Sequence, residues 1–101
     1  MNLQLSLTKK WFEMTKAGIK TEDYRDITPY WFKRLYENKY QLDQKLKSFT
    51  QNTMTLGYPS KDDKERILKL EHKGIEIREG NPEWGAEPGK VYFVIKHGKI
   101  L

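Results

Sequence analysis

Glu65-Arg66-Ile67-Leu68-Lys69-Leu70-Glu71-His72-Lys73-Gly74-Ile75-Glu76-Ile77-Arg78-Glu79 is the stretch whose pattern decides the fold. Leu68, Leu70 and His72 lie on one parity, and Ile75 and Ile77 on the other. Side chains of a strand alternate between its two faces, so an apolar set that changes parity implies an extra residue in the strand. Gly74 sits at the change, and a glycine inside a strand marks a bulge or a sharp bend. The reading is a long bent strand over residues 65–79. A bent strand curls its sheet, which points to a small closed or half-closed barrel.

Upstream, Met54, Leu56 and Tyr58 alternate and predict a strand over 53–58, followed by the polar turn Pro59-Ser60-Lys61-Asp62-Asp63-Lys64. Downstream, Gly80 to Gly89 contains two prolines and three glycines and reads as a loop. Val91-Tyr92-Phe93-Val94-Ile95 is an unbroken apolar run, expected as a strand buried on both faces, then a Gly98 turn and a short tail. At the other end, Leu3, Leu5 and Leu7 alternate with Gln4, Ser6 and Thr8 and read as a half-buried strand. Thr8 then caps a helix from Lys9 to Ala17, with Trp11, Met14 and Thr15 on a core-facing stripe and Gly18 ending it. Lys20 to Ile27 reads as extended. Thr28 and Pro29 open a short helix through Tyr36, with Trp31 expected in the core. Residues 37–50, where Leu42, Leu46 and Phe49 are spaced by four and three, read as a mostly irregular connection. The sum is one domain over residues 1–101. Its class is α+β: a small barrel of five to six strands, mixed or antiparallel, with two or three short helices.

Composition narrows the function. Thirteen aromatics among 101 residues argue against disorder. No apolar run approaches the roughly 20 residues of a membrane span, so no membrane partner is expected. Met1-Asn2-Leu3-Gln4 has neither the basic region nor the apolar stretch of an export signal, and the cytoplasm is the expected location. The absence of cysteine excludes disulfides, thiolate nucleophiles and Cys-based metal sites. His72 and His97 are the only histidines, expected as surface or hydrogen-bonded groups, and neither a metal nor a cofactor is expected. HExxH, GxxxxGK[ST], GxGxxG and GxSxG are all missing. A monomer is expected. The formal net charge is +5, and it is uneven: residues 1–50 carry ten Lys and Arg against six acids, residues 51–101 nine against eight. Such a charge is compatible with a polyanionic partner, but taken alone it reads as a solvated surface with a mild net charge.

The segment richest in chemistry is Gly18-Ile19-Lys20-Thr21-Glu22-Asp23-Tyr24-Arg25. On a regular strand Lys20, Glu22 and Tyr24 face one way, with Thr21, Asp23 and Arg25 the other. Taken alone, this pattern also describes a surface strand with ion pairs worth under ~1 kcal/mol each.

Gly18, Lys20 and Arg25 match the Gly-x-Lys-x-x-Glu-x-Arg signature of the ASCH domain, a relative of the PUA domain, with Asp23 where that signature has Glu. The run from Lys20 to Ile27, the following Pro29-Tyr30-Trp31, and the Gly80-to-Lys90 loop running into Val91-Tyr92-Phe93-Val94-Ile95 resemble the short ASCH proteins of bacterial and phage genomes. The resemblance spans both ends of the chain. It implies a PUA-like β-barrel with a cleft beside the signature, and RNA or a nucleoside-like molecule as ligand. One bacterial branch of the family hydrolyses the acetyl amide of acetylated cytidine nucleosides, using the signature lysine, a threonine three places later and a distant glutamate. Lys20 carries over. Asp23 stands in the threonine's place, and Glu83 is the candidate glutamate from its loop position. Other members are described as nucleases or as RNA-binding parts of regulators.

The residue chemistry fits either activity. A lysine in a low-dielectric cleft loses proton affinity and can serve as a base or donate to an oxyanion; an adjacent Asp23 opposes this and suits Lys20 to binding. Arg25 offers a planar fork for phosphate or a base edge, and Glu22 or Asp23 can accept from a base amino group. Arg25 and Asp23 can instead simply brace the cleft. Trp84 either stacks on a base or caps the barrel mouth. The candidate ligand-binding residues are Lys20, Glu22, Asp23, Tyr24, Arg25 and Trp84; the candidate catalytic set is Lys20, Asp23 and Glu83.

Overall fold

A computed structural model describes residues 1–37 and 45–101. Along the chain run β1 (Asn2–Leu7), α1 (Lys9–Lys16), β2 (Glu22–Arg25), α2 (Pro29–Leu35), β3 (Gln51–Leu56), β4 (Ile67–Glu79) and β5 (Val91–Ile100). Single 3₁₀ turns lie at Lys64–Arg66 and Pro82–Trp84. The five strands make one sheet in the order β1-β3-β4-β5-β2. β1 and β3 are parallel, and the other pairs antiparallel. This is the expected small α+β barrel, in half-closed form.

The bend sits where the parity changes. The β4–β5 register slips between Leu70 and His72 and again between His72 and Gly74, whose φ of +113° suits glycine. Ahead of the slip Leu68 and Leu70 point into the core; beyond it Ile75 is half-buried and Ile77 exposed. The core is filled by Leu3, Leu5 and Leu7 from β1, Phe12 from α1, Leu35 from α2, Met54 from β3, and Phe93 and Ile95 from β5. Each such side chain contributes roughly 1.5–3 kcal/mol of burial. On the opposite face of β5, Tyr92 and Val94 pack with Ala86 and Tyr24, so this strand is covered on both sides from Tyr92 to Ile95.

β1 and β2 are the two edges of the sheet among the described residues, and arginines serve the edge of β1. Arg25 from β2 donates to the Ser6 carbonyl at 2.9 Å, and Arg34 from α2 donates to the Gln4 carbonyl at 3.0 Å. The two guanidinium groups thus satisfy backbone acceptors that a further strand would otherwise take.

Several local expectations are corrected. α1 buries Phe12 and Thr15, not Trp11 and Met14, which are half-buried. Thr15 spends its hydroxyl on the Trp11 carbonyl at 2.8 Å, and Trp11 turns toward the 80–89 loop. Thr8 occupies the cap position of α1 without a side-chain bond, whereas Thr28 does cap α2, accepting from the Trp31 amide at 3.3 Å. Trp31 packs against the core but stays half-buried. β3 ends at Leu56, and Tyr58 projects into solvent at 97% exposure. The Ser6 and Thr55 hydroxyls both donate to the Gly57 carbonyl, holding the chain where it leaves the sheet. No turn forms at Gly98. β5 runs through it to Ile100, paired with Leu70, because β4 is long enough to offer it a partner. Tyr36 bridges Leu46, and 45–50 is otherwise irregular, as expected. Leu42 and the rest of the reading over 38–44 lie outside the described residues.

Candidate functional site

Gly18, with φ +78°, closes α1, and the amides of Ile19 and Lys20 both return to the Met14 carbonyl. This tight turn delivers Lys20 just ahead of β2, with its side chain on the inner face. The strand alternation forecast from the sequence therefore fails at that residue alone. Lys20 joins Asp23 and Arg25, the Tyr24 ring reaches the same hollow from the edge of the strand, and Glu22 alone stays apart. Lys20 is 2% exposed. Its Nζ donates to Asp23 Oδ1 at 3.1 Å and to the Glu22 carbonyl at 2.5 Å. Arg25 Nε donates to Asp23 Oδ2 at 2.7 Å. One carboxylate thus holds two cations, and the cluster keeps one positive charge in excess. Burial pulls the Lys20 proton affinity down; the attraction and hydrogen bond of Asp23 oppose it without cancelling it.

Aromatic rings surround the ammonium. Its Nζ lies 5.9 Å from the ring centres of both Trp11 and Tyr24, at the outer limit of a cation–π contact. The guanidinium of Arg25 lies 5.0 Å from the Trp31 ring. The loop closes the arrangement. The Tyr24 hydroxyl accepts from the Asn81 amide at 2.9 Å, and Glu87 N–H donates to the Tyr92 hydroxyl at 2.9 Å. Gly85 is left-handed, with φ +99°, and a Cβ there would lie 2.9 Å from the Trp11 ring. Any larger residue would push Trp11 and the loop apart.

Lys20, Asp23, Tyr24 and Arg25 line one concavity of about 220 Å³ with Trp11, Trp84, Gly85, Tyr92, the end of β1 at Ser6 and Leu7, and Thr8 just beyond it. That is below the roughly 300–1,000 Å³ of sites for drug-sized ligands, and suits one flat ring system. Of the candidates named from the sequence, five meet here: Lys20, Asp23, Tyr24, Arg25 and Trp84. Glu22 and Glu83 are not among its lining residues. Glu22 lies on the outer face, where it accepts from Tyr24 at 2.8 Å and pairs with Arg78. Burial raises its proton affinity, but the bonds from Arg78 and Tyr24 outweigh that and hold its carboxyl below the usual range. Glu83 is exposed on the 3₁₀ turn. Sequence reading missed Trp11 and Ser6. The parity of β1 was a signal for Ser6, and Trp11 stands beside Phe12, one more large ring than the core-facing stripe of α1 takes in.

Behind the cluster, His97 is buried and not at the surface, with its Nδ1 2.7 Å from Asn52 Nδ2. Asn52 Oδ1 meets His72 Nδ1 at 2.7 Å. An amide nitrogen only donates, so His97 Nδ1 accepts and its proton sits on Nε2, which has no partner among the described residues. Burial drops the His97 pKa to about 4.

Among the described residues no group of three or more His, Cys, Asp or Glu is arranged to hold a metal ion, and no helix is long and apolar enough to cross a membrane. No family model, curated protein or solved structure matches the chain.

Proposed function

We propose that this protein is a PUA-like module of the ASCH type that binds a nucleobase, in RNA or in a modified nucleoside, in the Lys20–Asp23–Arg25 concavity. The observation that carries the reading is the convergence of five signature and loop residues on one ring-sized hollow with excess positive charge. Lys20 has two of its three donors engaged, which leaves one N–H for a base carbonyl. Arg25 keeps donor capacity beside the Ser6 carbonyl for a phosphate or base edge. Trp84 and Trp11 supply faces on which a base can stack.

NMR titration with a nucleoside panel and short RNA oligomers tests it. Shifts are expected at Lys20, Arg25 and the Trp84 indole. No perturbation there at millimolar ligand overturns the reading. Trp84→Ala is expected to weaken binding roughly 5- to 150-fold, the range of one base–aromatic stack.

A second reading, an amidohydrolase acting on acylated cytidine or similar nucleoside amides, is favoured by the lowered proton affinity of Lys20. A lysine that holds its proton less tightly gives it up more readily, and a neutral amine can take one from water as the amide is attacked. Release of acetate from acetylated cytidine that is lost in Lys20→Ala supports it, and turnover unchanged by that substitution excludes Lys20 as catalyst.

A further inference from the structure

The base-sized concavity is the first of three that follow one another across the molecule. The second, about 320 Å³, shares Ser6 and Arg25 with the first; the third, about 610 Å³, shares Gln4 and Thr55 with the second. In the second, Arg34 lies 4.7 Å from the Trp31 ring centre and 5.7 Å from that of Tyr30. Tyr30, set edge-on to Trp31, and Tyr58 line this same hollow and are 62% and 97% exposed, so their ring faces are open to a ligand. The third lies on the outward face of β1, β3 and β4, where Gln4 sits beside Thr53 and Thr53 beside Lys69. Lys61, Lys64 and Lys69 line it with no carboxylate among its lining residues; of the acids flanking them in sequence, Asp63 pairs with Arg66, and Asp62 and Glu65 are exposed. Over all three, the only described lining acid is Asp23, which is already doubly paired.

We infer that this track is a binding surface for a single-stranded polynucleotide: a base in the Lys20 hollow, the next bases on Tyr30, Trp31 and Tyr58, and the backbone phosphates on Lys61, Lys64 and Lys69. Stacking faces that run on into a cluster of cations are the kind of surface that holds single strands without reading sequence. A duplex hides its base faces, and an acidic peptide has none, so neither uses the tyrosines. The inference rests on the nucleobase reading of the first hollow and extends it to the length of the ligand.

Fluorescence anisotropy with labelled 12-nucleotide single strands, one RNA and one DNA, tests it across a salt series, within the roughly 4–16-nucleotide site sizes of small barrels. Replacing Lys61, Lys64 and Lys69 together by Gln is expected to make the slope of log affinity on log salt shallower by about 2, three contacts at ~0.7 each. Tyr58→Ala is expected to weaken the 12-mer while leaving nucleoside shifts at Lys20 unchanged. A slope untouched by the triple substitution overturns the track, as does equal binding of duplex or of a polyglutamate peptide. If nucleosides fail to bind but the slope still falls, the reading of the Lys20 hollow is wrong and the groove stands. If nucleosides bind and the 12-mer gains nothing over them, the hollow stands and the track is wrong. Equal affinity for RNA and DNA assigns the surface to single strands in general, and an RNA preference to the 2′-hydroxyl.

Discussion

Two charged clusters, one on each face of β2, are built from the same kinds of residue and do opposite things with them. Outward, Glu22 pairs with Arg78, Arg78 with Glu76 at 2.7 Å, and Glu76 with Lys96 at 2.9 Å. Charges alternate, every one has a partner, and Arg78 and Glu76 are 39% and 45% exposed. Inward, Lys20, Asp23 and Arg25 are sheltered, the cations outnumber the acid, and the donors are not all spent. The outer network is closed and leaves nothing for a ligand; the inner one is open toward a hollow. What separates the two clusters is the balance of charge and the access of water, since both are built around acids of the same four-residue strand, Glu22 outward and Asp23 inward.

The sharpest way to break this contrast is Asp23→Ala. The substitution leaves a buried ammonium and a half-buried guanidinium with no counter-charge. Removing one partner of a buried ion pair typically costs 3–5 kcal/mol, and a loss of about 4 kcal/mol in urea unfolding is expected. Asp23→Asn keeps the shape without the charge, and is expected to cost less. Equal, small losses in both would mean that water reaches the cluster, and the inner face would then be no different from the outer.

The next effect is set by pH. Unfolded histidine takes up its proton near pH 6.5, whereas folded His97 resists until about 4. Between those values the unfolded state binds more protons, so stability falls as pH drops through that window. The full difference is about 3 kcal/mol, because each tenfold loss of proton affinity is worth about 1.36 kcal/mol. His72 is also held below its usual value by burial and adds in the same direction. Unfolding free energy measured from pH 7.5 to 4.5 is expected to decline steadily. Ring-carbon NMR shifts of His97 are expected to stay those of neutral imidazole at pH 5.5. A normal midpoint near 6.5 would show that His97 is hydrated, and that the interior behind Lys20 is not dry.

Much of this was legible because period and punctuation are local. The parity change around Gly74 gave the bend, Thr28-Pro29 gave the start of α2, and Val91 to Ile95 gave the twice-covered strand. The misreadings came from partners distant in sequence. Gly98 ends a strand by habit, but 13 residues of β4 overrule it. Trp11 and Phe12 are adjacent, and only the position of α1 over the sheet decides which goes inside. In the hollow, strand alternation alone set Lys20 apart from Asp23 and Arg25; the signature resemblance grouped the three, and the turn after Gly18 is what brings Lys20 to their side. Alternation already put Glu22 on the face opposite Asp23, but Arg78 is 56 residues away, and no pattern along the chain could name it as the partner.

The smallest effect sharpens the comparison from the other side. Arg78→Ala removes the centre of the outer network, including its bonds to Glu22, Glu76 and the Glu79 carbonyl. By number of partners this arginine exceeds Lys20. Its surroundings are wet, however, and exposed pairs contribute roughly 0.2–1 kcal/mol each because water and salt replace them. Glu22 keeps the Tyr24 hydroxyl and gains water. A loss under about 1 kcal/mol is expected in urea unfolding, shrinking further in high salt. Ligand shifts at Lys20 should be unchanged, since Arg78 does not line the hollow. A loss as large as that of Asp23→Ala would show that the Arg78–Glu22 pair is what fixes β2 against β4, and the division between a bracing face and a binding face would have to be given up.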